Sequence, residues 1–274
     1  MTDAATKAAV IQMVSGADVD ANLAEADRLL GEARRGGAQL AILPENLACM
    51  TPDMAALHAI AESPEGGPLQ RRLAEMARRH GLWLVAGTLP LLADAGRMTN
   101  TTLVFDAAGR PVARYDKIHL FDVSVPGGET HRESAHVAPG DRGVVLDTPV
   151  GRLGLAVCYD LRFPELFRAL LDQGAELFAL PAAFTHATGQ AHWEVLLRAR
   201  AIENQCFMLA SAQGGQHFEG RRTFGHSQII GPWGELLARH AEGPGLAIAE
   251  IDLAAQRALR TRFPALEHRR LHSG

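Results

Sequence analysis

The stretch Gly154-Leu155-Ala156-Val157-Cys158-Tyr159-Asp160-Leu161-Arg162-Phe163-Pro164-Glu165 says most about how this chain folds. An apolar run ends on a cysteine, and a polar turn opens at once behind it. Such a run reads as a buried strand, and the segment from 161 onward reads as the start of a helix. Cys158 then stands at a sheet edge beside the free N–H groups of a helix N-terminus, a setting that favours thiolate over thiol. The arrangement is analogous to the strand-turn-helix elbow that presents a nucleophilic serine in other hydrolases. Free cysteines are also commonly small buried hydrophobes, so this segment alone leaves both readings open.

Working outward, strand-like and helix-like segments alternate. The periodicity predicts strands at 8–13, 40–43, 82–86, 99–106, 112–116, 144–148, 151–157, 176–180, 206–211, 226–230, 235–240 and 245–251. It predicts helices at 21–35, 68–80, 161–172 and 190–204, and a short one after the last strand. A polar stretch, 119–143, lacks periodicity, and a loop of that length is usually functional or mobile. No linker, repeat or low-complexity segment interrupts residues 1–274, which predicts one α/β domain with mixed sheets and outer helices. The number of layers does not follow from the pattern.

Composition narrows the class. With 27 basic and 31 acidic residues the net charge is -4, which leaves no basic footprint for nucleic acid. Three cysteines without a paired CxxC argue against a disulfide scaffold or zinc ribbon and suit a reducing, cytoplasmic setting. No signal-like N-terminus and no uncharged apolar run of membrane-spanning length is present. The 12 histidines are scattered, and His192-Trp193-Glu194 has no second histidine at ligand spacing, so no metal is expected.

Two further strand ends carry reactive groups. In Ile42-Leu43-Pro44-Glu45-Asn46, the Glu45 carboxylate is held where a buried run exits, a position suited to a general base, although a lone Pro-Glu is more often an ordinary loop carboxylate. In Tyr115-Asp116-Lys117-Ile118-His119-Leu120, Lys117 sits among apolar and aromatic neighbours, which suits either an ammonium aimed into a pocket to stabilise a developing oxyanion or a surface lysine that snorkels to water. Cys49 lies near Glu45 without an activating context, and Cys206 reads as a core position in its strand.

Taken together, the segments around Glu45, Lys117 and Cys158, in that chain order, resemble the nitrilase superfamily of carbon–nitrogen hydrolases over essentially the whole chain. The resemblance implies a four-layer α-β-β-α sandwich, usually paired as a homodimer or higher homo-oligomer. It implies Cys158 as nucleophile, Glu45 as general base, and Lys117 with the Tyr159 backbone N–H as oxyanion stabilisers. Glu133, in His131-Arg132-Glu133-Ser134, matches a second glutamate that many members place beside the site. No cofactor is implied; the partner is a small-molecule amide, not nucleic acid or a membrane.

The segments Phe121–Gly127 and Ala191–Asn204 resemble the branch that acts on 2-oxo acid amides. Ala212–His217, Gly225-His226-Ser227 and Gly243–Leu246 look most like members that split the transaminated by-product of glutathione into 2-oxoglutarate and cysteinylglycine. Neighbouring omega-amidases take 2-oxoglutaramate or 2-oxosuccinamate. Either substrate presents a 2-oxo carboxylate, for which the bidentate guanidinium of Arg162 is the candidate partner. Phe184 and Thr185 are candidates for the same pocket, and His217, Arg221 and Arg222 for the dipeptide leaving group. A broader amidase or carbamoylase, and a non-catalytic scaffold, are the other readings.

Overall fold

The computed structural model describes residues 6–124 and 130–271. In chain order the elements are β1 (Thr6–Gln12), α1 (Val19–Arg35), β2 (Leu40–Ile42), α2 (Met54–Ala59), α3 (Pro68–His80), β3 (Trp83–Leu92), β4 (Met98–Phe105), β5 (Pro111–Asp116) and a short ribbon, β6 (Asp122–Ser124) with β7 (Thr130–Arg132). There follow β8 (Val145–Thr148), β9 (Gly151–Leu155), α4 (Pro164–Asp172), β10 (Leu177–Ala182), α5 (His186–Asn204), β11 (Phe207–Ala212), β12 (Gln216–Phe218), β13 (Arg221–Arg222), β14 (Ser227–Ile230), β15 (Leu236–His240), β16 (Gly245–Ile251) and α6 (Leu253–Arg262).

Two six-stranded sheets form the centre, ordered β16-β1-β2-β3-β4-β5 and β15-β14-β11-β10-β9-β8. Successive side chains of a strand point to opposite faces, so a strand covered on both sides must be apolar throughout. In β1, Ala8 and Val10 join the core that holds Leu155, Phe178 and Leu209 of the other sheet. Ala9 and Ile11 join a second core beneath α1 and α3, with Leu23, Leu30, Leu73 and Met76. On the far side, α4 and α5 lie against β9 and β11. The order is helix, sheet, sheet, helix, which is the expected α-β-β-α sandwich.

Several boundaries differ from the sequence pattern. Cys158–Arg162 forms a tight 3-10 turn, and α4 begins only at Pro164, whose fixed φ and missing N–H suit a first helical position. Helix α5 starts at His186 rather than 190, because Thr185 caps it and Gly189 gives the helix room against Phe224. Strand β3 continues to Leu92 through Gly87 and Pro90, and its pairing with β4 shifts register between Ala86 and Leu89. Strand β11 begins at Phe207, so buried Cys206 precedes it. The 119–143 stretch contains β6, β7 and a one-turn helix, Glu133–Ala135. Val125, Pro126 and Gly127 of the branch-defining segment lie outside the described residues. Among the described residues, no helix is long and apolar enough to cross a membrane.

Candidate active site

Strands β2 and β3 run parallel, β4 reverses and β5 reverses again, so β2 and β5 leave the first sheet at the same edge. Glu45 follows β2 and Lys117 follows β5 directly. From the second sheet, parallel β9 and β10 deliver Cys158 and the segment Ala183–Thr185. All of these residues line one cavity of about 530 Å³.

Each exit is pinned. The Glu45 carbonyl accepts from Gln213 Nε2 at 3.1 Å. The next amide, Asn46 N–H, donates to Thr88 Oγ1 at 2.8 Å across the β3 irregularity. Gly87 lies so close that a Cβ there would stand 1.9 Å from the Pro44 carbonyl oxygen. Lys117 N–H donates to the Asn100 carbonyl at 3.0 Å, which fixes the β5 exit to β4. Cys158 has φ +47°, a left-handed conformation that costs a non-glycine residue about 1–2 kcal/mol. The fully buried Asp160 carboxylate braces that turn. It accepts from Val157 N–H at 2.8 Å, Tyr115 Oη at 2.6 Å and His119 N–H at 3.1 Å, and pairs with His119 Nδ1 at 2.7 Å. One carboxylate thus ties the cysteine turn to the lysine-bearing strand of the other sheet.

The reactive groups form a buried cluster. Lys117 Nζ lies 3.0 Å from Glu45 Oε1, and 3.1 and 2.8 Å from the two Glu133 oxygens. Asn100 Nδ2 donates to Glu45 Oε1 at 2.9 Å and to Glu133 Oε1 at 3.0 Å. Glu133 Oε2 also accepts from Phe121 N–H at 2.7 Å. Burial opposes charge on Lys117, but Glu133 and then Glu45 outweigh it and hold the ammonium well above its ordinary range. Burial likewise opposes charge on Glu133, and Lys117 with the amide donors reverses the balance and keeps its carboxyl below the usual value.

The thiol departs from the sequence expectation. Burial first, and the Glu45 charge and hydrogen bond next, push Cys158 well above the ordinary thiol range; Lys117 and the Ala183 N–H pull the other way and do not win. The five-residue 3-10 turn does not offset this. These surroundings favour the thiol over the thiolate in the resting site.

Arg162 lines the cavity with its guanidinium carbon 5.2 Å from the Phe184 ring centre and 5.8 Å from that of Tyr159; its Nη1 lies 3.2 Å from His192 Nδ1. Phe184 also packs against Trp193, and Thr185 both lines the cavity and caps α5. Of the three leaving-group candidates, only Arg221 lines the cavity. His217 spends both ring nitrogens on Ser15 and Thr223, and Arg222 is exposed away from it. Cys49 does line the cavity, and burial raises its thiol. The sequence reading missed Asn100 and Ala183. For Asn100 the available signal was an amide inside Thr99-Asn100-Thr101-Thr102, a polar run in a strand that had to be buried on both faces.

The sequence profile described as carbon-nitrogen hydrolase matches residues 7–261. The chain belongs to the carbon-nitrogen hydrolase family. This carbon-nitrogen hydrolase is 44% identical over 268 residues to the deaminated glutathione amidase of Yersinia enterocolitica, covering 97% of this chain and 93% of that one. It is 46% identical over 269 residues to the deaminated glutathione amidase of Synechocystis sp., covering 96% and 97% respectively. Among solved structures, the Caenorhabditis elegans NitFhit protein superposes with a TM-score of 0.91 at 39% identity, over 98% of this chain and 66% of that longer one. An amidase from Nesterenkonia sp. AN1, in which acrylamide has added to the active-site cysteine, gives a TM-score of 0.79 at 27% identity over 96% and 99%. This carbon-nitrogen hydrolase is therefore a hydrolase that acts on amides.

Proposed function

We propose that the protein hydrolyses deaminated glutathione to 2-oxoglutarate and cysteinylglycine through a thioester on Cys158. The observation that carries the substrate is the near end-to-end identity of 44–46% with relatives named deaminated glutathione amidase. What supports the mechanism is the meeting of a thiol, a carboxylate and an ammonium in one buried cavity. A cytoplasmic setting is part of the same reading, supported by three free, buried cysteines.

In this reading Glu45 takes the thiol proton as Cys158 Sγ bonds to the amide carbon and the carbonyl electrons move to oxygen. Lys117 and the Tyr159 N–H stabilise that oxyanion; one such donor is typically worth about 10²–10³-fold in rate. The intermediate collapses, the C–N bond breaks, and the leaving amine takes the proton held by Glu45. Water then attacks the thioester, giving its proton to Glu45. A second collapse releases the acid and returns the proton to sulfur. Two modest barriers replace one high one. Glu133 fixes Lys117 and positions substrate. Arg162 holds the 2-oxo carboxylate over Phe184, with Thr185 at the same end.

The test is a paired assay with deaminated glutathione and 2-oxoglutaramate at matched concentrations, against a Cys158→Ala control. Preference for deaminated glutathione, abolished in the control, is expected. Preference for 2-oxoglutaramate moves the protein to the omega-amidases with the same residues. Turnover of other amides alone points to a broader amidase. No turnover together with no selective Cys158 labelling leaves a non-catalytic scaffold.

A further inference from the structure

We infer that Asn100 is a positioning residue of the site, holding the Glu45 and Glu133 carboxylates side by side on Lys117. Two carboxylates that share one ammonium repel each other, and something must divide the space between them. Asn100 Nδ2 does so, donating to Glu45 Oε1 at 2.9 Å and to Glu133 Oε1 at 3.0 Å. Lys117 Nζ reaches the same two oxygens, so each is gripped twice. The Asn100 carbonyl meanwhile accepts the Lys117 N–H at 3.0 Å. One β4 residue therefore contacts all three charged members of the cluster, through its side chain twice and its backbone once.

An amide is the fitting side chain. It supplies two N–H donors on one atom, carries no charge of its own and does not ionise. An aspartate of the same shape puts a third negative charge against two carboxylates and offers no donor. An alanine leaves Glu133 with Lys117 as its one side-chain donor in this group, and Glu45 with Lys117 and the Cys158 thiol.

The inference rests on the Glu45–Lys117–Cys158 reading but not on the substrate. Its test is therefore the rate of Cys158 alkylation by iodoacetamide against pH, followed by mass spectrometry of that residue, in the parent, Asn100→Ala and Asn100→Asp. The acid limb reports ionisation of Cys158, which the carboxylate charge beside it opposes. The groups facing the carboxylate cluster are Lys117 and Cys158; around the cavity stand Cys49, His131, Arg132, His136, Tyr159, Arg162 and Arg221. All are unchanged in both variants, so a shift isolates Asn100. Removing the Asn100 donor leaves the carboxylate charge beside the thiol less compensated, and an aspartate adds to it, so the acid limb moves to higher pH, by about one unit in the alanine variant and further in the aspartate variant. On whichever amide the parent turns over, kcat falls about tenfold to a hundredfold with KM little changed.

A fall in rate with the acid limb unmoved, or parent-like behaviour in either folded variant, overturns the inference. If the parent alkylates normally but turns over neither proposed amide, the substrate reading fails while the Asn100 result still stands or falls by itself.

Discussion

A buried carboxylate beside a buried thiol sets the chemistry at the residue scale. Glu45 opposes ionisation of Cys158 and is also its proton acceptor in the proposed mechanism. Nucleophile ionisation and catalysis should therefore part company when the charge is removed. In Glu45→Gln the thiol is expected to titrate at lower pH than in the parent, because the charge next to it is gone while Lys117 stays. Amide turnover is expected to fall by about 10²–10⁴-fold, the range for a lost general base. A pH titration of Cys158 alkylation, set beside steady-state rates, checks both. A thiol that titrates higher in the variant would contradict the arrangement seen here. Glu45, Lys117 and Cys158 could be named from the chain as reactive groups at strand ends that gain weight only together, and Glu133 only through the family resemblance. Asn100 could not, since its partners are distant in sequence and its strand carries no mark beyond a polar run where burial is required.

At the scale of elements, the site depends on where strands stop. The β2 exit is packed against the bare backbone of Gly87 in β3. Gly87→Ala should force Pro44, and Glu45 after it, away from the cluster. The expected cost is about 1–3 kcal/mol from overpacking, with kcat lowered about a hundredfold by a misplaced base. Thermal unfolding and turnover measured together test this; parent-like kcat would mean that β3 does not set the Glu45 position. Gly87 also shows why β3 was read short. Gly87-Thr88-Leu89-Pro90 looks like a break, yet the strand passes through an irregularity there and resumes. Strands with both faces covered were legible as continuous apolar runs. The helix α2 was not, because none of its residues is buried and no periodic face develops.

For the whole molecule, the layer count came from family resemblance rather than periodicity: alternating segments do not say how sheets stack. The outer surface of this sandwich leaves apolar groups uncovered. Val195 and Ile202 on α5 are 68% and 51% exposed, and Trp233 meets Phe263 edge-on at 5.5 Å on the outside. Ile202 lies against Gly234, next to Trp233, and adjoining exposed apolar groups mark a contact surface. We propose that a second copy covers it, as the family resemblance implies. Light scattering at micromolar concentration should give twice the chain mass, and Val195→Glu with Ile202→Glu should reduce it to one; a monomeric parent would remove the proposal. The topology has one more consequence. Strand β16, near the C-terminus, lies antiparallel beside β1, with Thr6 opposite Ile251. On the ribosome β1 emerges well before β16 and waits for the segments between them, roughly ten to fifty seconds at about 5–20 residues per second. Its edge is open throughout that interval, so the newborn first half is the form a chaperone or protease would meet. Chains stalled before Gly245 should be cut far faster than released ones, and the enzyme becomes durable only when β16 closes on β1.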